Sequence, residues 1–319
     1  MSYGFKGWIG IGKETNWGTS VAATDWFEGL SENLSASIDR FDIKNIVGTV
    51  AEPDDDTGTQ RVAGDIVIPA MPQALGYFLK AAMQQVSGSV VTSGFLWKNT
   101  FNTALSDFSA DTPMQPYSIE VFRDVTSSVL YKSCVMNALE LSFAPNQPIQ
   151  AKGTWLGYAS TIQSASGSQP SYPGSPSKPF NFTTLSLSIG GSGTARVEDL
   201  KLMVNNNLEG IPALNASQYI AKVRRKGPQT IGLTGTLDFT DMTEYLDFIN
   251  QTERQWKMNM TAANSCALTI DIPRMQYVTF PLGIPGRQRI TVGFTGKAFY
   301  SSGSGTAITF GLTNVKSFY

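Results

Sequence analysis

Two distant stretches of this chain read alike, and the likeness limits what it can fold into. Gly64 and Gly235, Ile66 and Leu237, Ile68 and Phe239, Met71 and Met242, Leu75 and Leu246, and Phe78 and Ile249 match without a gap, each pair 171 positions apart. Six ungapped matches across a strand-turn-helix stretch point to a unit written twice. The flanks keep the same order. Asn33-Leu-Ser-Ala-Ser-Ile-Asp39 mirrors Asp199-Leu-Lys-Leu-Met-Val-Asn205, Ile119-Glu-Val121 mirrors Ile270-Asp-Ile272, and Lys152-Gly153-Thr154 stands where Thr295-Gly296-Lys297 does. Between the halves, the Ser-, Pro- and Gly-rich run from Ser164 to Pro179 has the composition of an extended connector. The expected organisation is an N-terminal arm (1–30), a first β unit (31–160), a linker (161–180) and a second β unit (181–319).

Both units read as mainly β. Apolar residues alternate with polar ones at Leu34, Ala36 and Ile38, at Leu139, Leu141 and Phe143, at Ile149, Ala151, Gly153 and Trp155, and at Ile290, Val292 and Phe294. This is the period of strands with one greasy and one wet face. Helical spacing is convincing only over Met71–Leu79 and Met242–Ile249, the second with Thr240 or Asp241 as N-cap and Glu244 in its first turn. The fold class expected is two tandem β-sandwich or barrel-forming units, each with one short α-helix, that close into a ring-shaped β-barrel on oligomerisation. Two like surfaces on one polypeptide let three chains present six similar units around a ring.

Composition narrows the function. Among 319 residues, 24 Lys and Arg face 25 Asp and Glu, a formal charge of −1 that argues against a basic stripe for gripping phosphate. Charged residues make up only 15% of the chain, well under the usual quarter, so much of the surface is neutral polar and assembly is expected to cover part of it. Histidine is absent, which removes the commonest general base and metal ligand. Cys134 and Cys266 form no CxxC pair and read as buried free thiols. Neither a signal-peptide pattern nor a membrane-length apolar run is present, so the chain is expected in a cytoplasm until assembled.

Several motifs tempt. Gly7-Trp-Ile-Gly-Ile-Gly12-Lys13-Glu14 nearly fits a phosphate loop, but Glu14 stands where a hydroxyl is needed and would repel the anion. Trp8, Ile9, Ile11 and Trp17 read instead as an arm packing on a neighbouring surface. The carboxylates Glu198 with Asp199 and Glu244 with Asp247 could serve acid-base chemistry, but the second pair is as well explained by solvent exposure or the helix dipole. Asp54-Asp55-Asp56 lacks the alternation and glycine of a calcium loop. No cofactor, metal or catalytic residue is expected.

Charge contrast between the halves is more telling. Glu52, Asp54, Asp55 and Asp56 precede Gly64, while Lys222, Arg224, Arg225 and Lys226 precede Gly235. As tips of duplicated hairpins they would alternate around a ring and meet complementary surfaces above or below, setting register more than energy.

Trp8-Ile-Gly-Ile-Gly-Lys-Glu-Thr-Asn-Trp-Gly-Thr, Phe27-Glu, the Leu34–Ile43 strand, an acidic loop and Val62-Ala-Gly64-Asp-Ile-Val-Ile-Pro before a short helix together resemble the major tail protein of long-tailed, non-contractile bacteriophages. The resemblance is clearest over residues 8–80. It implies a virion subunit of stacked rings around a channel for genomic DNA, with the chain itself, tail terminator, tape-measure and tail-tip proteins as partners, no membrane, and DNA passing without sequence-specific binding. A lumen should then be polar and poor in free cations, since Arg and Lys arrays would hold phosphate. From alternation, the candidate lumen residues are Ser35, Ser37, Asp39, Glu140, Ser142, Gln150, Asn205, Thr291 and Thr295, with Lys152 and Lys201 expected to face neighbouring acids. The competing readings are a virion adhesin or receptor-binding module, and a carbohydrate-active enzyme on a β scaffold. Six scattered tryptophans argue for packing over a binding platform.

Overall fold

The computed structural model describes the chain apart from residues 1, 47, 49, 52–53, 93–95, 105, 165–171, 173–177, 195, 285 and 318. Glu52 and most of the expected linker lie outside the described residues. The first half contains β1 (Trp8–Lys13), β2 (Asp25–Phe27), β3 (Ser31–Glu32), β4 (Ser35–Asp42), β5 (Asp55–Pro69), α1 (Pro72–Met83), β6 (Gln84–Thr92), β7 (Leu96–Thr103), β8 (Tyr117–Phe122), β9 (Ser127–Phe143), β10 (Gln150–Gly157) and β11 (Ala159–Ser164). The second contains β12 (Ser186–Ile189), β13 (Ser192–Thr194), β14 (Val197–Asn205), β15 (Leu208–Ile211), β16 (Lys222–Arg225), β17 (Thr230–Asp238), α2 (Thr243–Ile249), β18 (Arg254–Thr261), β19 (Ala267–Thr279), β20 (Thr291–Ala298) and β21 (Thr309–Asn314).

Every strand pairing between these elements is antiparallel, and one long strand per half serves two sheets. In the first half β9 joins the set β2–β1–β8–β9–β11 to the set β4–β5–β10–β9. In the second, β19 joins β13–β12–β18–β19–β21 to β14–β17–β20–β19. A strand can turn from one sheet into another where a bulge bends it. β9 does so near Ser133, whose φ is 50°, and β19 does so at Pro273 and Arg274, where its register against β18 shifts.

The two inner sets join edge to edge. β9 pairs with β14 from Phe143 opposite Leu200 to Ala138 opposite Asn205. The result is one eight-stranded sheet in the order β4–β5–β10–β9–β14–β17–β20–β19, open at both ends. Among the described residues no closed barrel forms within the single chain. A second bridge pairs β21 with β7 of the β6–β7 hairpin and so lays the second half over the first.

Alternation predicted the core face of this sheet well where neighbours flank it on both sides. Leu139, Leu141, Phe143, Ala151, Trp155, Val292 and Phe294 are all buried and Ile290 is half-buried; in β14, Leu200, Leu202 and Val204 are buried on the same face. In β4 it failed: Leu34 is buried, but all eight residues of β4, including Ala36 and Ile38, are exposed. Their strand lies at the sheet edge and its hairpin with β5 projects past the core, so the apolar side finds nothing to pack on.

The matched glycines share a local cause. A Cβ on Gly64 would strike the Asn33 carbonyl and Leu34, and a Cβ on Gly235 would strike the Asp199 carbonyl and Leu200. Both therefore sit where the preceding strand crosses closest, at the mirrored Asn33-Leu34 and Asp199-Leu200 positions. Other details of the sequence match shift. Lys152–Thr154 and Thr295–Lys297 do lie on corresponding strands, but the residue placed like Gly296, opposite Leu233, is Gly157, opposite Val62. Ile119–Val121 lies in β8, whose counterpart by pairing is β18, not the β19 that holds Ile270–Ile272.

Residues 1–30, expected as an arm, carry β1 and β2. Trp8, Ile9 and Ile11 are buried in the chain's own core, and Trp17 packs edge-on against Tyr158 at 6.0 Å. β11 continues to Ser164, inside the expected linker, and pairs with β9. Cys134 and Cys266 are free and buried, as expected.

Candidate assembly interface

One face of the eight-stranded sheet packs on the core and the other meets solvent. All nine candidate lumen residues are on the solvent side, exposed or half-buried. Several share cross-strand rows, the unit by which side chains on a sheet interact. Gln150, Ser142, Lys201, Thr234 and Thr295 stand side by side across five strands, and Thr295 shares a 2.6 Å hydroxyl hydrogen bond with Thr279 on the next. Lys152, Glu140, Met203, Gly232 and Lys297 form the adjacent row. Ser35 and Ser37 lie opposite Ala63 and Arg61, Asn205 opposite Ala138 and Thr230, and Thr291 opposite Asp238.

Three of the cations on this face are held by acids, while Lys297, 5.5 Å from the Phe299 ring, has no ion pair among the described residues. Lys152 pairs with Asp65 at 3.0 Å, Lys201 with Glu140 at 3.7 Å and Arg61 with Asp39 at 2.9 Å. Burial pushes the Asp65 carboxyl up, but the Thr154 hydroxyl and Lys152 outweigh it and hold it below the usual carboxylate range. The surface is thus polar, locally neutralised, and poorly suited to gripping phosphate.

Its two edges differ from the rest of the sheet. β4 pairs with β5 on one side only, and beyond Met275 the last residues of β19 pair only with β20 among the described residues. After Phe280 the chain runs on with Leu282 and Ile284 exposed. Unpaired edges of this length invite another strand.

Of the two charged segments, one lies where the sequence suggested and the other does not. Asp54, Asp55 and Asp56 do sit at the far end of the projecting β4–β5 hairpin, where Arg40 pairs with Asp55 at 2.5 Å. Lys222, Arg224 and Arg225 form no tip: they make up β16, the return strand of a hairpin with β15. Arg224 donates to the Ala110 carbonyl, and Arg225 is half-buried against Met114 with a guanidinium pKa lowered by desolvation. Lys226 follows, its backbone N–H bonded to the Asn207 carbonyl. Two basic residues are therefore spent within the chain because the hairpin folds back against residues 107–115.

The motifs that suggested chemistry are structural. Gly7–Lys13 is mostly β-strand, so no loop is available for phosphate. Glu14 is fully buried, accepts hydrogen bonds from the Ser118 hydroxyl at 2.6 Å and from the Ser133 amide and hydroxyl at 2.8 and 2.6 Å, and has its pKa raised by burial. Glu244 and Asp247 are not solvent-exposed as sequence suggested; they are 3% and 5% exposed. Arg196 forks onto Glu244 and also reaches Asp241 at 2.9 Å, while Arg254 binds Asp247 through two bonds of 2.9 and 2.8 Å. Both carboxylates are engaged by guanidinium groups. Helical spacing places Glu244 and Asp247 on one face, a signal that the sequence carried; their arginine partners, far along the chain or across a turn, it did not. The N-cap of α2 is Met242, not Thr240 or Asp241 as the sequence suggested, and Asp241, one residue earlier, accepts from the Thr243 amide at 2.8 Å. Among the described residues no cluster of metal-ligating side chains occurs, and no helix is long and apolar enough to cross a membrane.

A sheet with two open edges and a polar face whose Lys152, Lys201 and Arg61 are paired with acids is the form of a building block. The profile of the family described as phage tail tube protein matches residues 4–309. The chain belongs to the phage tail tube family. It is a structural protein of the virion tail, of a kind that self-associates into a tube. A search of curated proteins finds no match.

Proposed function

We propose that three copies of this tail tube protein close into a ring and that rings stack into the channel through which DNA leaves a long-tailed, non-contractile phage. One observation carries the reading. The internal seam joins β9 to β14, and the strands left open at the two ends, β19 and β4, are their counterparts in pairing order. A seam already made within the chain is the template for the seam between chains: β4 of one copy lies antiparallel to the end of β19 of the next. The direction fits, because eight antiparallel strands leave the two edges running oppositely. Three sheets of eight strands give a barrel of about 24, wider than the 16 to 18 strands that already leave an aqueous channel. The halves are then copies of one ancestral unit, and the nine candidate residues line the lumen.

Closing the ring removes every open edge of the inner sheet, whereas an adhesin or enzyme would gain nothing from leaving β4 bare. Asp54–Asp56 at the hairpin end, with Lys222 and Lys226, would lie at the ring faces and guide stacking. Replacing Ala36 and Ile38 with proline removes two backbone donors from β4 and should leave a folded monomer that forms no rings by native mass spectrometry. Rings of wild-type stability from that variant would overturn the seam.

A further inference from the structure

Helix α2 is inside out. Its carboxylates Glu244 and Asp247 point inward to Arg196 and Arg254, while Met242, Leu246 and Ile249 are 53%, 53% and 56% exposed. These three are spaced at i, i+4 and i+7 and form one apolar stripe. Tyr245 and Phe248 make the core contact, both against Phe280. In the first half Phe78 makes the contact to the sheet, against Trp155. Although Leu246 and Ile249 align with Leu75 and Phe78 by letter, the inward face has slipped by one residue, about 100° of helix rotation. Leu246 then stands where α1 has Gly76.

Gly76 is covered. Tyr319, beyond β21, lies over it so closely that a Cβ would enter the ring, and its hydroxyl donates to the Gln73 carbonyl at 3.0 Å. Asn314 of β21 donates to the Pro72 carbonyl at 2.7 Å. The outward face of α1 is thus roofed by β21 and the residues after it, which belong to the second half. β21 has a counterpart in the first half: β11, which likewise follows the last inner strand and pairs with the first part of the long shared strand. On the free side of β11, Ile162 is 75% exposed.

We propose that the Met242, Leu246 and Ile249 stripe is the docking site for β11 of a second copy of this chain, with Ile162 against Leu246. The step rests on the ring reading above. In that ring the copy whose β4 joins β19 is also the copy whose first half adjoins α2, just as the second half that joins β9 through β14 roofs α1. Phe280, which directly follows β19 and touches α2, makes the stripe continuous with the proposed seam. The arginine pairs fix the helix with its stripe outward before any partner arrives.

A chain with Leu246→Cys and Ile162→Cys, assembled into tubes and treated with a short bismaleimide, should yield covalent dimers and trimers on a denaturing gel, and dilute monomers should yield none. Cys134 and Cys266 are buried and do not compete. Intact tubes without cross-links, whose two cysteines react with a monofunctional maleimide as fast as in monomers, would overturn the docking while sparing the tube. Hydrogen exchange on the unmodified chain guards against a variant that fails to assemble: amides 159–164 and 242–249 should slow at least tenfold on tube formation, and unchanged exchange would overturn the proposal. A wild-type chain that forms no rings under any condition would overturn the ring reading and this docking with it.

Discussion

Helices α1 and α2 hold the same place in the order of pairing yet live in opposite surroundings. α1 is buried nearly all round, between the sheet below, Phe27 at one side and Tyr319 above. α2 rests on Phe280, turns its acids inward to arginines and leaves its apolar stripe in water. The difference shows that a helix takes its polarity from what the next unit supplies. Where the second half reaches over the first, the helix is buried nearly all round; in the proposed ring, burial of the α2 stripe would wait for another chain.

Substitutions at the two helices should therefore separate folding from assembly. The largest loss of stability is expected from Gly76→Leu, which drives a side chain into the Tyr319 ring and should cost roughly 3 kcal/mol in urea unfolding of the monomer. Glu244→Gln, which leaves Arg196 without its main partner, should cost about 2 kcal/mol, the partial exposure of Arg196 softening the penalty of a broken buried pair. It should also loosen α2, seen as faster amide exchange over residues 243–249.

The roof over α1 includes an ion pair that titrates with acid. Lys316 bonds to Asp25 at 2.8 Å and to the Tyr77 hydroxyl. Burial alone would raise the Asp25 carboxyl, but the bonds from Lys316 and Tyr77 and the Lys316 charge bring it below 3.8. A carboxylate with a lowered folded-state pKa contributes stability above its unfolded value and loses it as pH falls through the folded value. Asp25→Asn should remove about 1 kcal/mol at neutral pH, allowing for solvent screening, and flatten the acid limb of stability below about pH 4.

Leu246→Ser at α2 should move monomer stability by no more than about 0.5 kcal/mol, since the side chain is already half in water, yet raise the concentration needed for tubes tenfold or more. The smallest effect belongs to the charged segments. Reversing Lys222 and Lys226 should leave rings intact and shorten tubes in a salt-dependent way, because exposed ion pairs contribute only about 0–1 kcal/mol each. Tube length unchanged at low salt would remove the stacking role.

How much of this was legible in the sequence followed from locality. The core faces of β9, β10 and β20 and the two short helices rest on short-range pattern, and the structure has them, although α1 starts at Pro72 and runs on to Met83, past the Leu79 at which the pattern stopped. The candidate face was legible too, because residues that alternate along a strand must share a side of the sheet. Long-range partners were not. Nothing near β4 announces that it is an edge, so Ala36 and Ile38 read as core. Nothing near Glu244 announces Arg196, 48 positions away. Likewise Arg225 reads as a loop-tip charge until the fold brings Met114 beside it. The letter match of Leu246 and Ile249 with Leu75 and Phe78 was real, but a helix turned by one residue gives matched letters different neighbours.

The most direct measurement is an electron cryo-microscopy map of the assembled tube at a resolution that separates strands. Three chains per ring, with β4 of each lying antiparallel to residues 276–284 of its neighbour in an unbroken inner barrel, is the predicted result. Six chains per ring, or β4 bare to solvent in the finished tube, would contradict it.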